Sequence, residues 1–240
     1  MLAAFQAGTP FLSLTELSRH LDLSKSCVHA LLASLERGGF VSRDARPGKY
    51  GLGPRVLQLA SLRLEQSTVR SLARPILERL AHQLRETVFL GILDGDQAIY
   101  ADRIESRKRL RVAGEIGRPV PLHATALGKT LLAFSSEERI ACELARPLKA
   151  YTCHTLVDPD RVRDELVQIR AQGVAISRGE HDEFTAGVAA PVYDQSGALV
   201  AGITIAGPLG RLAIEKAAAA ALAGASDISA QLGASSRSAV

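Results

Sequence analysis

The chain has 240 residues, 47% of them hydrophobic, and a formal net charge of +4. This length allows one large or two smaller domains with a sizeable core. No stretch reaches the roughly 18 uninterrupted apolar residues of a membrane span, and the N-terminus lacks a signal-peptide pattern, so we expect a cytoplasmic protein with no membrane partner.

The placement of the charged residues and of the cysteines further narrows the class of protein. Residues 1–66 hold eight lysines and arginines against five aspartates and glutamates, whereas the remainder is nearly balanced. The basic excess therefore predicts an anionic partner for the N-terminal segment. Cys27, Cys142 and Cys153 form no CxxC pair, which predicts neither a disulfide framework nor a zinc ribbon.

Two short amphipathic helices are predicted near the N-terminus. The first begins at SLTE, where Ser13 and Glu16 have the spacing of a capping box. After a tight turn in which Leu23 is expected to point inward, Ser24 caps the second helix. Apolar residues in that second helix recur at i, i+3, i+4 and i+7: Val28, Leu31, Leu32 and Leu35.

The second helix ends at Gly38-Gly39, and two β-type runs around Pro47-Gly48 predict a hairpin. Two helices joined by such a short turn make a helix-turn-helix, and the hairpin would be its wing. In this motif the second helix enters the major groove by its N-terminal residues. The pattern predicts base or phosphate contacts from Ser24, Lys25, Ser26 and His29, and phosphate contacts from Arg43, Arg46 and Lys49.

The same pattern has an alternative interpretation. Helix-turn-helix pairs also occur in proteins that do not bind DNA, where the polar face is simply solvated. The helical pattern alone leaves both interpretations open.

The pattern is helical from Pro54 to about Leu84, with Pro75 marking a start or a kink, and changes at Thr87. Beyond it, β-type runs flank the turns Asp94-Gly95-Asp96 and Gln195-Ser196-Gly197, with amphipathic helices between and after them. One of these helices, DPDRVRDELVQIRAQ, is predicted to stop at Gly173. This order predicts an α+β fold.

Four segments, in their order and spacing, resemble the IclR (isocitrate lyase regulator) family of bacterial transcription regulators: LSKSCVHALLASLERGGFV, YGLGPRVLQLA, PLHATALGKTLLA and GVAAPVYDQSGALVAGITIAGP. The resemblance covers nearly the whole chain. It implies a winged helix-turn-helix over residues 1–53, a linker helix over 54–67 and a GAF-like, effector-binding α/β domain over 68–233. We expect residues 234–240 to form a flexible tail.

The sequence departs from the family pattern in three places. The family's first helix extends two or three turns before SLTEL, whereas only MLAAFQ remains here, so we expect that helix to be truncated. Many relatives have threonine at the position of Cys27 and arginine at that of Ala30. A bidentate arginine contributes about 1–3 kcal/mol of base discrimination, so we expect this chain to recognise a different DNA site.

Matched position by position, the resemblance implies an effector pocket formed by Val112, Val120, Ala126, Leu127, Ser177, Gly187, Thr204 and Ala206. Some relatives have an acidic residue at Ser177 and a cysteine at Gly187, which predicts a less polar and wider pocket here. Helix N-terminal amides near Ala126 and Leu127 can hold a carboxylate. Arg109 maps to the same wall and would pair with a carboxylate; alternatively it belongs to a solvated basic edge with Arg107, Lys108 and Arg111.

Three other features contain residue types that occur in enzyme active sites. HATALGKT differs from a phosphate-binding P-loop because His123 replaces the first glycine. Cys153 and His154 are adjacent, whereas a nucleophile and its base are normally assembled in space. His123 and His181 show no metal-ligand spacing. We therefore expect no catalytic residue, no metal site and no cofactor.

The sequence thus predicts a ligand-responsive, DNA-binding regulator, more often a repressor by resemblance, that senses a small carboxylic or aromatic acid. The resemblance implies homodimers, often paired into tetramers, on palindromic double-stranded operators. Two alternatives remain open: a sensor module that does not bind DNA, and a small-molecule enzyme.

Overall fold

The computed structural model describes residues 1–6, 9–65 and 68–234, and for residues 61–65 it describes the backbone alone. The chain divides into two units, Met1–Ser67 and Thr68–Val240. The expected tail lies outside the described residues except for Ala234, and so do the last two residues of the expected linker helix.

The first unit contains a small antiparallel sheet, in the order β1-β3-β2, and three α-helices. A 3-10 turn over Leu2–Ala4 precedes them. The elements are β1 Leu12–Ser13, α1 Leu14–Leu21, α2 Lys25–Arg37, β2 Val41–Arg43, β3 Lys49–Leu52 and α3 Pro54–Glu65.

The predicted capping box and wing hairpin are confirmed. The Ser13 hydroxyl accepts from the Glu16 amide at 3.3 Å, and the Glu16 carboxylate accepts from the Ser13 amide at 2.6 Å. The same carboxylate accepts from Lys49 Nζ at 2.6 Å. Glu16 thus joins the start of α1 to the wing.

Two leucine side chains are more exposed than the sequence predicts. Val28 and Leu32 are fully buried in the core of this unit, but Leu31 is 41% exposed because the helical rotation places it at the flank of the stripe. Leu23 is 38% exposed. The Ser18 hydroxyl donates to the Leu23 carbonyl oxygen, and the Leu23 amide donates to the Ser18 carbonyl oxygen. In this turn the Leu23 side chain points outward.

The second unit is one six-stranded antiparallel sheet in the order β6-β5-β4-β9-β8-β7, with helices on both faces. The predicted α+β fold is confirmed. Its elements are α4 Thr68–Leu84, β4 Thr87–Asp94, β5 Gln97–Ile104, β6 Pro119–Val120, α5 Ala126–Ala133, α6 Glu137–Leu144, α7 Pro159–Gln172, β7 Ala175–Arg178, β8 Thr185–Tyr193, β9 Leu199–Pro208 and α8 Ile214–Gln231.

Helices α4 and α8 cover one face of this sheet, and α5, α6 and α7 cover the other. Pro75 lies inside α4 rather than at its start. The predicted stop of α7 at Gly173 is confirmed, and this glycine has the left-handed backbone (φ 72°) of a helix C-cap.

A β-bulge in β5 decides which side chains face which helix layer. Leu90 pairs with Asp102 and Gly91 pairs with Tyr100, so Ala101 has no partner on β4. Residues two apart in a regular strand share a face. The extra residue instead directs Tyr100 towards α5 and Asp102 towards α4, where Asp102 accepts from Arg74 Nη1 at 2.8 Å.

Glycines allow α5 to lie directly on the sheet. A Cβ at Gly91 would stand 2.1 Å from Leu127 Cδ2, and one at Gly202 would stand 2.9 Å from Leu127 Cδ1. On the other side, a Cβ at Gly128 would meet the Pro121 carbonyl oxygen at 2.2 Å and Leu122 Cα at 2.6 Å. The N-terminal turn of α5 is therefore fixed between the sheet and residues 121–122.

We expect Gly128→Ala to destabilise the chain by about 1–3 kcal/mol, because the added methyl overlaps backbone that cannot rotate away. Chemical denaturation of the full chain measures this change. The matched control is Gly210→Ala, whose methyl would meet no atom within 4 Å. Equal stability of the two variants would contradict the close packing.

Candidate DNA-binding face and effector cavity

The N-terminal half of α2 presents an exposed polar face. Ser24, Lys25, Ser26 and His29 are all exposed. The Ser24 hydroxyl accepts from the Cys27 amide at 3.3 Å and bonds the Ser26 hydroxyl at 3.0 Å, so these two serines also form the helix cap. Within the described part of the chain, Lys25 and His29 make no ion pair, which leaves their polar ends available.

The wing differs, because each of its cations has a carboxylate beside it. Arg43 Nε lies 3.0 Å from Glu36 and Lys49 Nζ lies 2.6 Å from Glu16. The third wing cation, Arg46, pairs with Asp44 and stacks over the Phe11 ring at 4.2 Å. Such exposed pairs are worth at most about 1 kcal/mol, so a phosphate can replace the carboxylate.

Glu16 is held ionised by its partners. Hydrogen bonds from Lys49, then from Ser13, lower its pKa to about 2. At neutral pH the carboxylate is therefore charged and keeps the Lys49 ammonium against α1.

A cavity of about 850 Å³ lies beside the N-terminus of α5 in the second unit. Seven of the nine predicted effector positions line it: Val112, Val120, Ala126, Ser177, Gly187, Thr204 and Ala206. Their side chains come from β6, α5, β7, β8, β9 and the loop before β6. The fold thus brings together positions up to about ninety residues apart in the sequence.

Leu127 and Arg109 do not line this cavity. Leu127 is fully buried because it fills the space above Gly91 and Gly202. The Arg109 side chain is exposed in the loop after β5. Its neighbour Lys108 lies 3.0 Å from the buried Glu86 carboxylate. The exposure of Arg109 fits the alternative prediction, in which it belongs to a solvated basic edge.

Backbone amides at the start of α5 are candidate anion-binding groups at the cavity. Thr125 caps this helix: its hydroxyl accepts from the Gly128 amide at 3.0 Å and donates to the Pro121 carbonyl at 2.9 Å. The amides of Ala126 and Leu127 head the helix and have no acceptor within it. Ala126 lines the cavity, so its amide can donate to a carboxylate there.

Several other polar groups of the cavity bond to groups of the protein. His123 Nε2 lies 3.0 Å from the Lys149 carbonyl oxygen, and since a carbonyl only accepts, this nitrogen carries the proton. Ser177 donates to the Ala124 carbonyl at 3.3 Å. Burial raises the pKa of Tyr100 to about 12, so its hydroxyl stays protonated.

Lys129, the lysine of the HATALGKT motif, is fully buried. Its ammonium lies 2.7 Å from Glu165 and 2.9 Å from both carboxylate oxygens of Glu180. It cannot extend to a phosphate, so the motif is a structural segment and not a P-loop. Cys153 is exposed, and the described residues contain no group of three or more His, Cys, Asp or Glu able to hold a metal.

The cavity residues outside the predicted site include His123, Lys149, Tyr151 and His181. His123 and His181 appeared in the sequence only as isolated histidines. No local pattern connects them, because the loops that carry them meet only in the folded chain.

Comparison with known proteins identifies the family. Residues 1–45 match the model of the IclR helix-turn-helix domain, and residues 62–230 match that of the bacterial transcriptional regulator IclR C-terminal domain. The chain belongs to the IclR family of bacterial transcriptional regulators. Among the described residues, no helix is both long and apolar enough to cross a membrane.

Individual members of the IclR family agree with this assignment. The regulator KipR of Bacillus subtilis is 34% identical over 82% of this chain and 79% of its own length. The acetate operon repressor of Salmonella typhimurium is 34% identical over 83% of this chain and 74% of its own length. A crystal structure of an IclR homologue from Microbacterium hydrocarbonoxydans, complexed with 4-hydroxybenzoate, superposes with a TM-score of 0.85 at 25% identity, covering 98% of this chain and 96% of that one.

The Glu16 contacts predict a pH-dependent contribution to stability. The folded pKa of about 2 lies below the ordinary value of 4.5, so the contribution is complete above about pH 4.5 and is lost as the pH falls towards 2. We expect Glu16→Gln to lower the unfolding temperature at pH 6, with the difference from wild type shrinking below pH 4.5.

Thermal unfolding of the full chain between pH 6 and pH 3 measures this difference. Glu215→Gln, on the exposed first turn of α8, is the control and should follow wild type throughout. A Glu16→Gln effect that does not change with pH would contradict the ionic origin of the contribution.

Proposed function

We propose that this IclR-family regulator is a DNA-binding repressor whose second unit binds a small organic acid. The observation that carries the proposal is a large cavity bordered by the unpaired amides at the start of α5. We further propose that it acts in the cytoplasm as a homodimer, or a pair of dimers, on a palindromic operator, and that it is not an enzyme.

The DNA-binding half of the proposal is supported by the exposed face of α2. Lys25 stands at the first helical position and His29 one turn further along, both exposed. A helix-turn-helix places this end of its second helix against base edges and phosphates. The wing cations Arg43 and Lys49 would add phosphate contacts by exchanging their carboxylate partners for DNA phosphates.

The effector half is supported by the chemistry of the cavity. Helix N-terminal amides favour an anion, and the apolar neighbours Val120, Ala126 and Ala206 favour a hydrocarbon body. A carboxylic acid combines both properties. The 4-hydroxybenzoate bound by the Microbacterium homologue belongs to this class.

Coupling between the two activities requires a differential affinity. The acid shifts DNA binding only if it binds one arrangement of the oligomer more tightly than another. We propose that the acid favours the arrangement that fits the operator less well, which is the behaviour of an inducer acting on a repressor.

Lys25 and His29 should have different roles in DNA binding. We expect Lys25→Ala to weaken binding to all sequences and to reduce the slope of log affinity against log salt by about 1, because one phosphate contact is lost. His29→Ala should change the preferred sequence, because a base contact is lost.

Selection of duplexes from a random pool, followed by fluorescence anisotropy at several salt concentrations, measures both effects. Lys216→Ala, exposed on α8, is the control cation and should behave as wild type. If the wild-type chain retains no duplex even at low salt, the DNA-binding proposal fails and the sensor module without DNA binding becomes the better interpretation.

Gly187 provides a test of the acid site. A Cβ here would lie 3.4 Å from the Ala126 Cβ and 3.9 Å from Thr204 Cγ2, an ordinary contact, so Gly187→Ala should fold normally. We expect Gly187→Val to direct its additional methyl groups into the cavity and to weaken acid binding by about tenfold or more, with Gly187→Ala intermediate.

A thermal-shift screen with 4-hydroxybenzoate and short aliphatic acids measures the loss of acid binding. A ligand at 100 times its dissociation constant adds about 2.7 kcal/mol to the free energy of unfolding. The unfolding temperature without ligand verifies that each variant is folded. Full acid-induced stabilisation of Gly187→Val would place the acid elsewhere.

A further inference from the structure

The rim of the cavity carries basic side chains that the proposed carboxylate site does not use. Lys149, Arg118 and His181 are exposed, whereas Ala126 and Ser177 beside the start of α5 are buried. The cavity therefore has a buried floor with helix amides and an exposed basic rim.

Aromatic stacking gives the rim a defined shape. The Tyr151 ring lies 4.9 Å from the His181 ring, edge to face, and the Lys149 ammonium lies 5.0 Å from the centre of the Tyr151 ring. The buried His123 donates to the Lys149 carbonyl at 3.0 Å and so ties the rim to the floor. These contacts hold Lys149 at the cavity by its main chain and leave its ammonium free to meet a ligand.

The described carboxylates of the cavity wall lie beside groups other than Lys149. Among the described residues, Lys149 has no carboxylate partner. Arg118 has only Glu115, at 3.9 Å, which is too long for a hydrogen bond. Asp182 accepts from the Phe184 amide at 2.9 Å, within its own turn.

The remaining wall carboxylates, Asp96 and Glu143, lie 2.9 Å and 3.9 Å from Arg146. Among the described residues that line the cavity, Lys149 is thus the lysine or arginine without a carboxylate partner. Burial lowers the pKa of His181 first of all, and the charges of Arg118, His123 and Lys149 lower it further, although Asp182 opposes them.

We propose that the rim formed by Lys149, Arg118 and His181 binds a second anionic group of the effector, so that the preferred effector is a dicarboxylic acid. One carboxylate meets the amide of Ala126 at the start of α5, and the other meets the ammonium of Lys149 at the rim. This inference rests on the acid-binding function proposed above and specifies its ligand class.

Two matched pairs of acids test this inference: benzoate with terephthalate, and hexanoate with adipate. We expect titration calorimetry of the full chain in 50 mM salt to show, in at least one pair, the dicarboxylate binding about five- to tenfold more tightly. Lys149→Gln should reduce this preference to about twofold or less and leave the affinity for the monocarboxylate unchanged. Lys216→Gln is the matched control and should keep the full preference.

The ring-proton resonances of His181 supply a second measurement. A dicarboxylate at the rim should raise the pKa of His181, because a nearby anion stabilises the imidazolium, whereas the matched monocarboxylate should leave it unchanged. Assignment of the resonance uses His181→Gln.

The outcomes separate the two proposals. Equal affinity for both members of each bound pair would overturn the rim site and leave acid sensing intact. Failure of all four acids to bind would overturn acid sensing and the rim site with it. Loss of the preference in Lys216→Gln would show that net charge, and not the rim, produces it, and would also overturn the inference.

Discussion

The second unit depends on how closely α5 approaches the sheet. Leu127 occupies the space left by Gly91 and Gly202, and Gly128 lets the helix pass against the backbone of residues 121–122. A helix on a sheet normally stands off by the length of its side chains, whereas here one leucine fills the gap. The first turn of α5 is fixed at the cavity as a result, so the proposed carboxylate site depends on packing and not on a basic side chain.

Buried polar contacts then hold the cavity walls to this helix. Lys129, one turn into α5, bonds Glu180 in the loop before β8 and Glu165 on α7. The Thr155 hydroxyl donates to the Glu180 carbonyl at 2.6 Å and brings the loop that carries Tyr151 to the same point. A buried ammonium must be fully paired, so these partners leave few alternative positions for the loops.

Local patterns predicted what local contacts determine. The capping box of Ser13, the wing hairpin, the stop at Gly173 and the two hairpins of the large sheet follow from neighbouring residues and were predicted correctly. The inward positions expected for Leu23 and Leu31 were wrong, because a turn and the flank of a helix depend on the partners that tertiary packing supplies. The two-residue strands β1 and β6 carry too few alternations to be recognised. The basic rim could not be predicted either, since Lys149 and His181 lie in separate loops that only the folded chain brings together.

Because of the bulge at Ala101, β5 should tolerate the deletion of one residue. Because Ala101 has no partner on β4, its removal would restore a regular ladder and leave Tyr100 facing the cavity and Asp102 facing α4. Removal of a residue from the regular part of the strand would instead move every side chain beyond it to the opposite face. Natural deletions in this strand should therefore accumulate at this one position. An alignment of relatives that differ in length here would show whether the register of the strand beside the cavity has been preserved through evolution.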